Sequence, residues 1–173
     1  MFILQKEPSK EARVYLKVLQ KKMGQLPPHF EFFASVNFER FKMFIEELNY
    51  ITNHPIIDKN FFTFIRYYIA STNKFSYCID LNSKLLLSSG YSKENLKNAI
   101  EKKSLPLDNN FTTLFQKAIK AIEKPKYFCK DDLQELYNLG FNDSDIWDAI
   151  DHASFLFKYY KILSAYRDSN ECS

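Results

Sequence analysis

Apolar residues recur at three- and four-residue steps along nearly the whole chain, which is the period of an amphipathic helix with one face turned inward. Ser9 opens the first such segment, where Ala12, Tyr15, Leu16, Leu19 and Met23 share a face until Gly24 and the pair Pro27-Pro28 stop it. A second helix is predicted over 37–50, with Phe38, Phe41, Phe44, Ile45 and Leu48 on one side and Glu39, Lys42, Glu46 and Glu47 on the other. His54-Pro55 ends it, and Asp58 is placed to cap the next. Further helices follow over 59–73, 77–89, 92–103, 109–123 (after a linker at Pro106), 130–139 and 143–167. The last carries Asp143, Asp145, Asp148 and Asp151 early and Lys158, Lys161 and Arg167 late, the charge order a helix dipole favours. The pattern therefore predicts an all-α bundle of about eight helices.

Part of the pattern is written twice. Gly90-Tyr91-Ser92 with Leu96, Ala99, Ile100 and Glu101 returns fifty residues on as Gly140-Phe141-Asn142 with Ile146, Ala149, Ile150 and Asp151. The same spacing pairs Phe61 with Phe111, Thr63 with Thr113 and Ile69 with Ile119. In each copy the glycine can take the left-handed conformation that ends a helix, the ring can fold back, and Ser92 or Asn142 can cap the helix that follows. Two copies are too few for a solenoid, so the expectation is one compact domain over 1–173 with an internal duplication. Its parts are N-terminal helices over 1–57, a first unit over 58–104 and a second unit with the long last helix over 108–167.

Composition narrows the picture. Three glycines and six prolines in 173 residues are too few for a sandwich or barrel with a turn every ~8–12 residues. No G-x-G occurs, so neither a dinucleotide fingerprint nor a P-loop can be built, and no cofactor is expected. Seventeen Phe, eleven Tyr and one Trp predict a core or subunit interface made largely of rings. The net charge of +3 is spread without a basic block, which excludes a nucleic-acid footprint. The opening Met1-Phe2-Ile3-Leu4-Gln5-Lys6-Glu7 has too short an apolar run for a signal peptide, and no apolar run reaches the length of a membrane span. With three cysteines, an odd number, the expectation is a reduced, cytoplasmic protein without membrane contact.

The stretch from Thr63 to Leu85, with Ala70-Ser71-Thr72-Asn73 followed by Phe75, Cys78 and Asn82, resembles the central motif of the AhpD-like, carboxymuconolactone decarboxylase superfamily. The continuation Gly90-Tyr91-Ser92, the Leu139–Ile146 cap, the long last helix and the upstream Leu26-Pro27-Pro28-His29-Phe30 also resemble its peroxidase-related branch, so the likeness runs over about 24–167. It implies a helical homo-oligomer. In redox members the motif carries a relay glutamate, a Cys-x-x-Cys pair and a histidine; on this chain those positions are Thr63, Phe75, Cys78 and Asn82. The final helix, with Leu156-Phe157-Lys158-Tyr159-Tyr160, also lacks the two asparagines frequent in that branch.

A peroxidatic thiol must ionise to attack, and its sulfenic acid is normally resolved by a second thiol within bridging distance. Phe75 resolves nothing, and neither Thr63 nor Asn82 holds a proton in reserve near neutral pH. A dithiol cycle is thereby excluded at this motif. Cys78 carries two readings: a small hydrophobe kept for packing, or a one-cysteine peroxidase, an antioxidant centre at the start of a helix, resolved by a soluble thiol reductant. The leading expectation is a protein that has lost the alkylhydroperoxidase site and binds a small molecule or serves as a structural oligomer.

The remaining candidates weigh less. Cys129 lies one residue from the repeat partner of Cys78, which raises the question of whether the two thiols approach each other, and Cys172 reads as part of a frayed terminus. His152 and Asp148 stand four residues apart, the spacing of a partly exposed helical ion pair. His29 and His54, each beside a proline, read as loop or cap residues. No set of His, Cys or acidic side chains has metal-ligand spacing.

Overall fold

A computed structural model describes residues 7–166; the opening Met1–Lys6, Arg167 and Cys172 lie outside the described residues. The described chain is helical, with α1 Lys10–Met23, α2 Pro28–Val36, α3 Phe38–Thr52, α4 Lys59–Thr72, α5 Ser76–Ser88, α6 Lys93–Glu101, α7 Asn109–Glu123, α8 Lys130–Asn138 and α9 Asp143–Ala165, plus a 3-10 turn at Pro125–Tyr127. Residues divide into two compact units, one made of the N-terminal residues to Tyr50 with the chain from Lys161 on, the other running from Ile51 to Tyr160.

In the first unit, Ser9 caps α1 by accepting a hydrogen bond from the Ala12 amide at 3.1 Å, and Gly24 ends it at φ 78°. Helix α2 is absent from the periodic pattern. His29, Phe30, Phe32, Phe33, Ala34 and Ser35 are all buried, and Glu31 is the one charged residue the helix exposes, too little polar surface for a period to show. It starts with Pro28 at its first position, where the missing N–H costs nothing. Phe30 is the hub of the unit's core, with edge-to-face contacts to Phe41 at 5.4 Å and Phe44 at 5.7 Å. Tyr15 of α1 makes similar contacts with Phe38 and Phe41 of α3.

The second unit holds the larger core, in which Phe61, Phe62, Phe64, Ile65, Leu86, Leu114, Phe115, Ile119 and Leu136 are shut off from solvent. Here the duplication can be followed cap by cap. Asp58 accepts from the Asn60 amide at the start of α4, and Asp108 from the Asn110 amide at the start of α7. Thr63 and Thr113 each donate to the carbonyl four residues back. Gly90 and Gly140 end α5 and α8 at φ 91° and 93°, and the amides of Tyr91 and Phe141 return to Leu86 and Leu136, both at 3.2 Å. These are Schellman closures, which need a left-handed residue. Reciprocal caps then open the next helices, Ser92 with Asn95 and Asn142 with Asp145. Phe61 and Phe111, equivalent in the two copies, touch each other with ring centroids 5.9 Å apart.

A third closure of the same kind joins α4 to α5, and it positions the site described next. Lys74 takes the left-handed place at φ 59°. Its amide donates to Ser71 at 3.2 Å, and the Phe75 amide donates to Ala70 at 3.0 Å. A non-glycine residue in this conformation costs about 1–2 kcal/mol, and no glycine marks it in the sequence. The closure folds α5 back along α4.

Candidate functional site

The hairpin of α4 and α5 gathers the motif positions. Thr63 and Arg66 lie one turn apart on α4, and Cys78 and Asn82 lie one turn apart on α5. His152 enters from α9. Arg66 links them: Nε donates to Asn82 Oδ1 at 3.1 Å, Nη2 donates to Thr63 Oγ1 at 2.7 Å, and Nη1 stands 3.4 Å from His152 Nε2. A guanidinium has no acceptor, so His152 Nε2 accepts and its proton sits on Nδ1. Asn82 also donates through Nδ2 to the Cys78 carbonyl at 2.7 Å, and Thr63 passes its own proton to the Lys59 carbonyl at 2.9 Å. Desolvation lowers the Arg66 pKa to about 10, which still leaves it charged at neutral pH. Burial, and then the Arg66 charge, push the His152 pKa well below the ordinary imidazole value.

Cys78 is half-buried in the first turn of α5. Burial pushes its thiol up to about 12, away from the thiolate that nucleophilic chemistry needs. Phe75, at the position of the first motif cysteine, is buried and meets Tyr160 edge to face at 5.4 Å. It occupies the residue after the left-handed Lys74, where Tyr91 and Phe141 stand in the other two closures. Its ring is thus the third use of one structural device. Cys129 is exposed and caps α8, and both it and Cys78 are free thiols.

The histidines differ from their sequence expectations in two of three cases. His29 is not in a loop: it is buried inside α2 among Phe30, Phe33 and Phe44, and burial lowers its pKa to about 4. His152 is not part of an exposed helical ion pair, because it is wholly buried against Phe62 and Phe155. Asp148 instead meets His54, with Oδ2 3.1 Å from Nε2. His54 does act as a cap. Its Nδ1 accepts from the amides of Ile56 and Ile57, which puts the ring proton on Nε2 and aims it at Asp148. Among the described residues no cluster of His, Cys, Asp or Glu could hold a metal ion, and no helix is long and apolar enough to cross a membrane.

Arg66 is the residue that sequence reasoning missed. The signal was one cation in an otherwise uncharged run from Asn60 to Asn73 on a helix whose other residues are mostly rings and aliphatics.

Known structures share this helical architecture. No family model and no curated protein matches the sequence. Among solved structures, an uncharacterised peroxidase-related protein from a Silicibacter species superposes with a TM-score of 0.78 at 22% identity, covering 91% of this chain and 83% of that one. An alkylhydroperoxidase AhpD core protein from Ralstonia eutropha, also peroxidase-related and uncharacterised, gives 0.77 at 17% identity over 95% and 88%. A protein of unknown function from Agrobacterium tumefaciens, named with antioxidant defence and AhpD, gives 0.62 at 17% over 80% and 94%. The chain has the AhpD-like fold.

Proposed function

We propose that this is an AhpD-fold protein without dithiol peroxidase activity, in which the former redox site has become a neutral hydrogen-bonded cluster around one arginine and serves binding rather than oxidation. The observation that carries the reading is the Arg66 network: its acceptors Thr63 and Asn82 stand at the motif's glutamate and histidine positions. A relay must take up and release a proton near neutral pH, and a hydroxyl and a carboxamide do neither. The raised Cys78 pKa and the ring at Phe75 support the same conclusion.

The test is thiol reactivity in a variant carrying Cys129→Ser and Cys172→Ser, so that Cys78 reports alone. Alkylation by iodoacetamide is expected to accelerate only above about pH 9, the side of the free-thiol value to which burial shifts it. Consumption of hydrogen peroxide or cumene hydroperoxide with dithiothreitol or glutathione should stay at the background rate. A thiol that titrates below ~7 and forms sulfenic acid with peroxide would instead establish the one-cysteine peroxidase.

The reading includes assembly of the chain with copies of itself. The large indole of Trp147 stands in solvent at 71% exposure, a cost that an interface between subunits would offset. Light scattering at micromolar concentration is expected to give a multiple of the 20.5 kDa chain mass; a stable monomer would remove this part.

A further inference from the structure

We propose that Arg66 is the receptor for a small monocarboxylate with an apolar tail, bound in the cluster it forms with Thr63, Asn82 and His152. This deepens the preceding reading, on which it rests, by naming the ligand class of the same site. The argument begins with charge. Every hydrogen-bond partner of Arg66 is neutral, and no carboxylate among the described residues pairs with it. A crowded cation without a counterion is costly to the fold. An anion that enters the site removes that cost.

Donor counting then selects the kind of anion. A guanidinium offers five N–H groups, of which three are engaged. Thr63 spends its proton on the Lys59 carbonyl, Asn82 directs Nδ2 at the Cys78 carbonyl, and His152 presents Nε2 as an acceptor to the arginine. Two N–H groups of Arg66 are left over from these contacts, which suits a group that only accepts and does so through two oxygens. A carboxylate has that form and pairs with guanidinium in a fork. A phosphate dianion would bring one charge too many for a single cation.

Two observations concern access and tail. Arg66 is strongly desolvated yet retains accessible surface, as does Cys78. Phe62 and Phe155 flank His152 with centroids at 5.3 and 6.0 Å, so the surroundings of the polar cluster are aromatic.

The experiment is thermal unfolding and titration calorimetry of the full chain with benzoate and hexanoate at pH 7, with benzamide, hexanamide and inorganic phosphate as controls. Benzoate or hexanoate at about 100 times its Kd should raise Tm by several degrees, whereas the uncharged amides and phosphate should not. Arg66→Gln should weaken benzoate binding at least tenfold, and Arg66→Lys, which keeps the charge and loses the fork, should fall between. The comparison of acid with amide uses the unaltered protein and stands even if the Arg66 variants fold poorly. Equal shifts from benzoate and benzamide, or unchanged affinity in a folded Arg66→Gln variant, would overturn the proposal. A protein inert towards peroxide and blind to both acids overturns this inference and leaves the preceding one standing. One that consumes peroxide while binding benzoate through Arg66 supports this inference and overturns the other.

Discussion

Phe115→Ala is expected to destabilise the protein by about 3–5 kcal/mol. Phe115 of α7 is wholly buried and meets Tyr68 of α4 edge to face, with centroids 5.5 Å apart and planes at 90°. Removing the ring deletes buried apolar area and leaves a cavity that helices pinned at both ends close only in part. Tyr68 is itself held at its far end, donating to Glu123 Oε1 at 2.8 Å while Lys103 Nζ lies 5.3 Å over its ring and 2.8 Å from Glu123 Oε2. The tyrosine therefore cannot swing into the void without giving up a hydrogen bond and a cation-π contact, which places the expected loss towards the upper end of the range. Urea denaturation followed by circular dichroism measures it, with Tyr127→Ser as the control. Tyr127 is 69% exposed, so its loss should stay within about 0.5 kcal/mol. Equal effects at the two positions would mean that the core is not organised around Phe115.

The parts of this fold that could be read from the sequence are those set by neighbours along the chain. The closures at Gly90 and Gly140 and the caps at Ser92 and Asn142 rest on contacts between residues up to five apart, and each depends on a residue type suited to its backbone. The duplication was visible for the same reason. Where local chemistry is atypical the reading failed. Lys74 adopts the conformation that glycine announces elsewhere, so the third closure gave no sign in the sequence. Helix α2 buries six of its nine residues and exposes only Pro28, Glu31 and Val36, so its polar positions are too few to show a period.

The site was legible in its positions and not in its content. Thr63 stands on α4, Phe75 at the N-cap of α5, and Cys78 and Asn82 on α5, so the segment that carried the resemblance is one helical hairpin. Arg66 escaped notice because what makes it unusual is the neutrality of partners on other turns and helices: Asn82 is 16 residues away and His152 is 86. The His54 and Asp148 pair spans 94 residues, and no periodicity along a single helix can announce it. His152 was misread because helical spacing shows which residues share a face; burial of that face is decided by Phe62 on another helix.

The same long-range logic makes Asp132 the polar residue whose loss should cost most. It sits in the first turn of α8, buried, where it accepts the Cys129 amide at 2.9 Å and so caps its own helix. Lys117 Nζ at 2.7 Å and Lys120 Nζ at 2.7 Å reach it from α7. Burial alone would raise the carboxyl pKa; the hydrogen bonds from the two lysines and the Cys129 amide outweigh it and hold the group well below the usual carboxylate range. Asp132→Asn keeps the shape, removes the charge and leaves two ammonium groups facing an amide, so a loss of about 2–4 kcal/mol at pH 7 is expected. The pH dependence follows from the direction of the shift. A carboxylate whose pKa is depressed by folding stabilises the folded state fully above its unfolded value near ~4, and that contribution fades as pH falls towards the folded value. The gap between the natural protein and Asp132→Asn should therefore be widest at neutral pH and narrow steadily below about pH 4. Denaturant midpoints measured from pH 7 down to pH 3 test this. A gap that stays constant across that range would show that the carboxylate acts through shape alone, and that the lysines of α7 contribute nothing to the joint between the two helices.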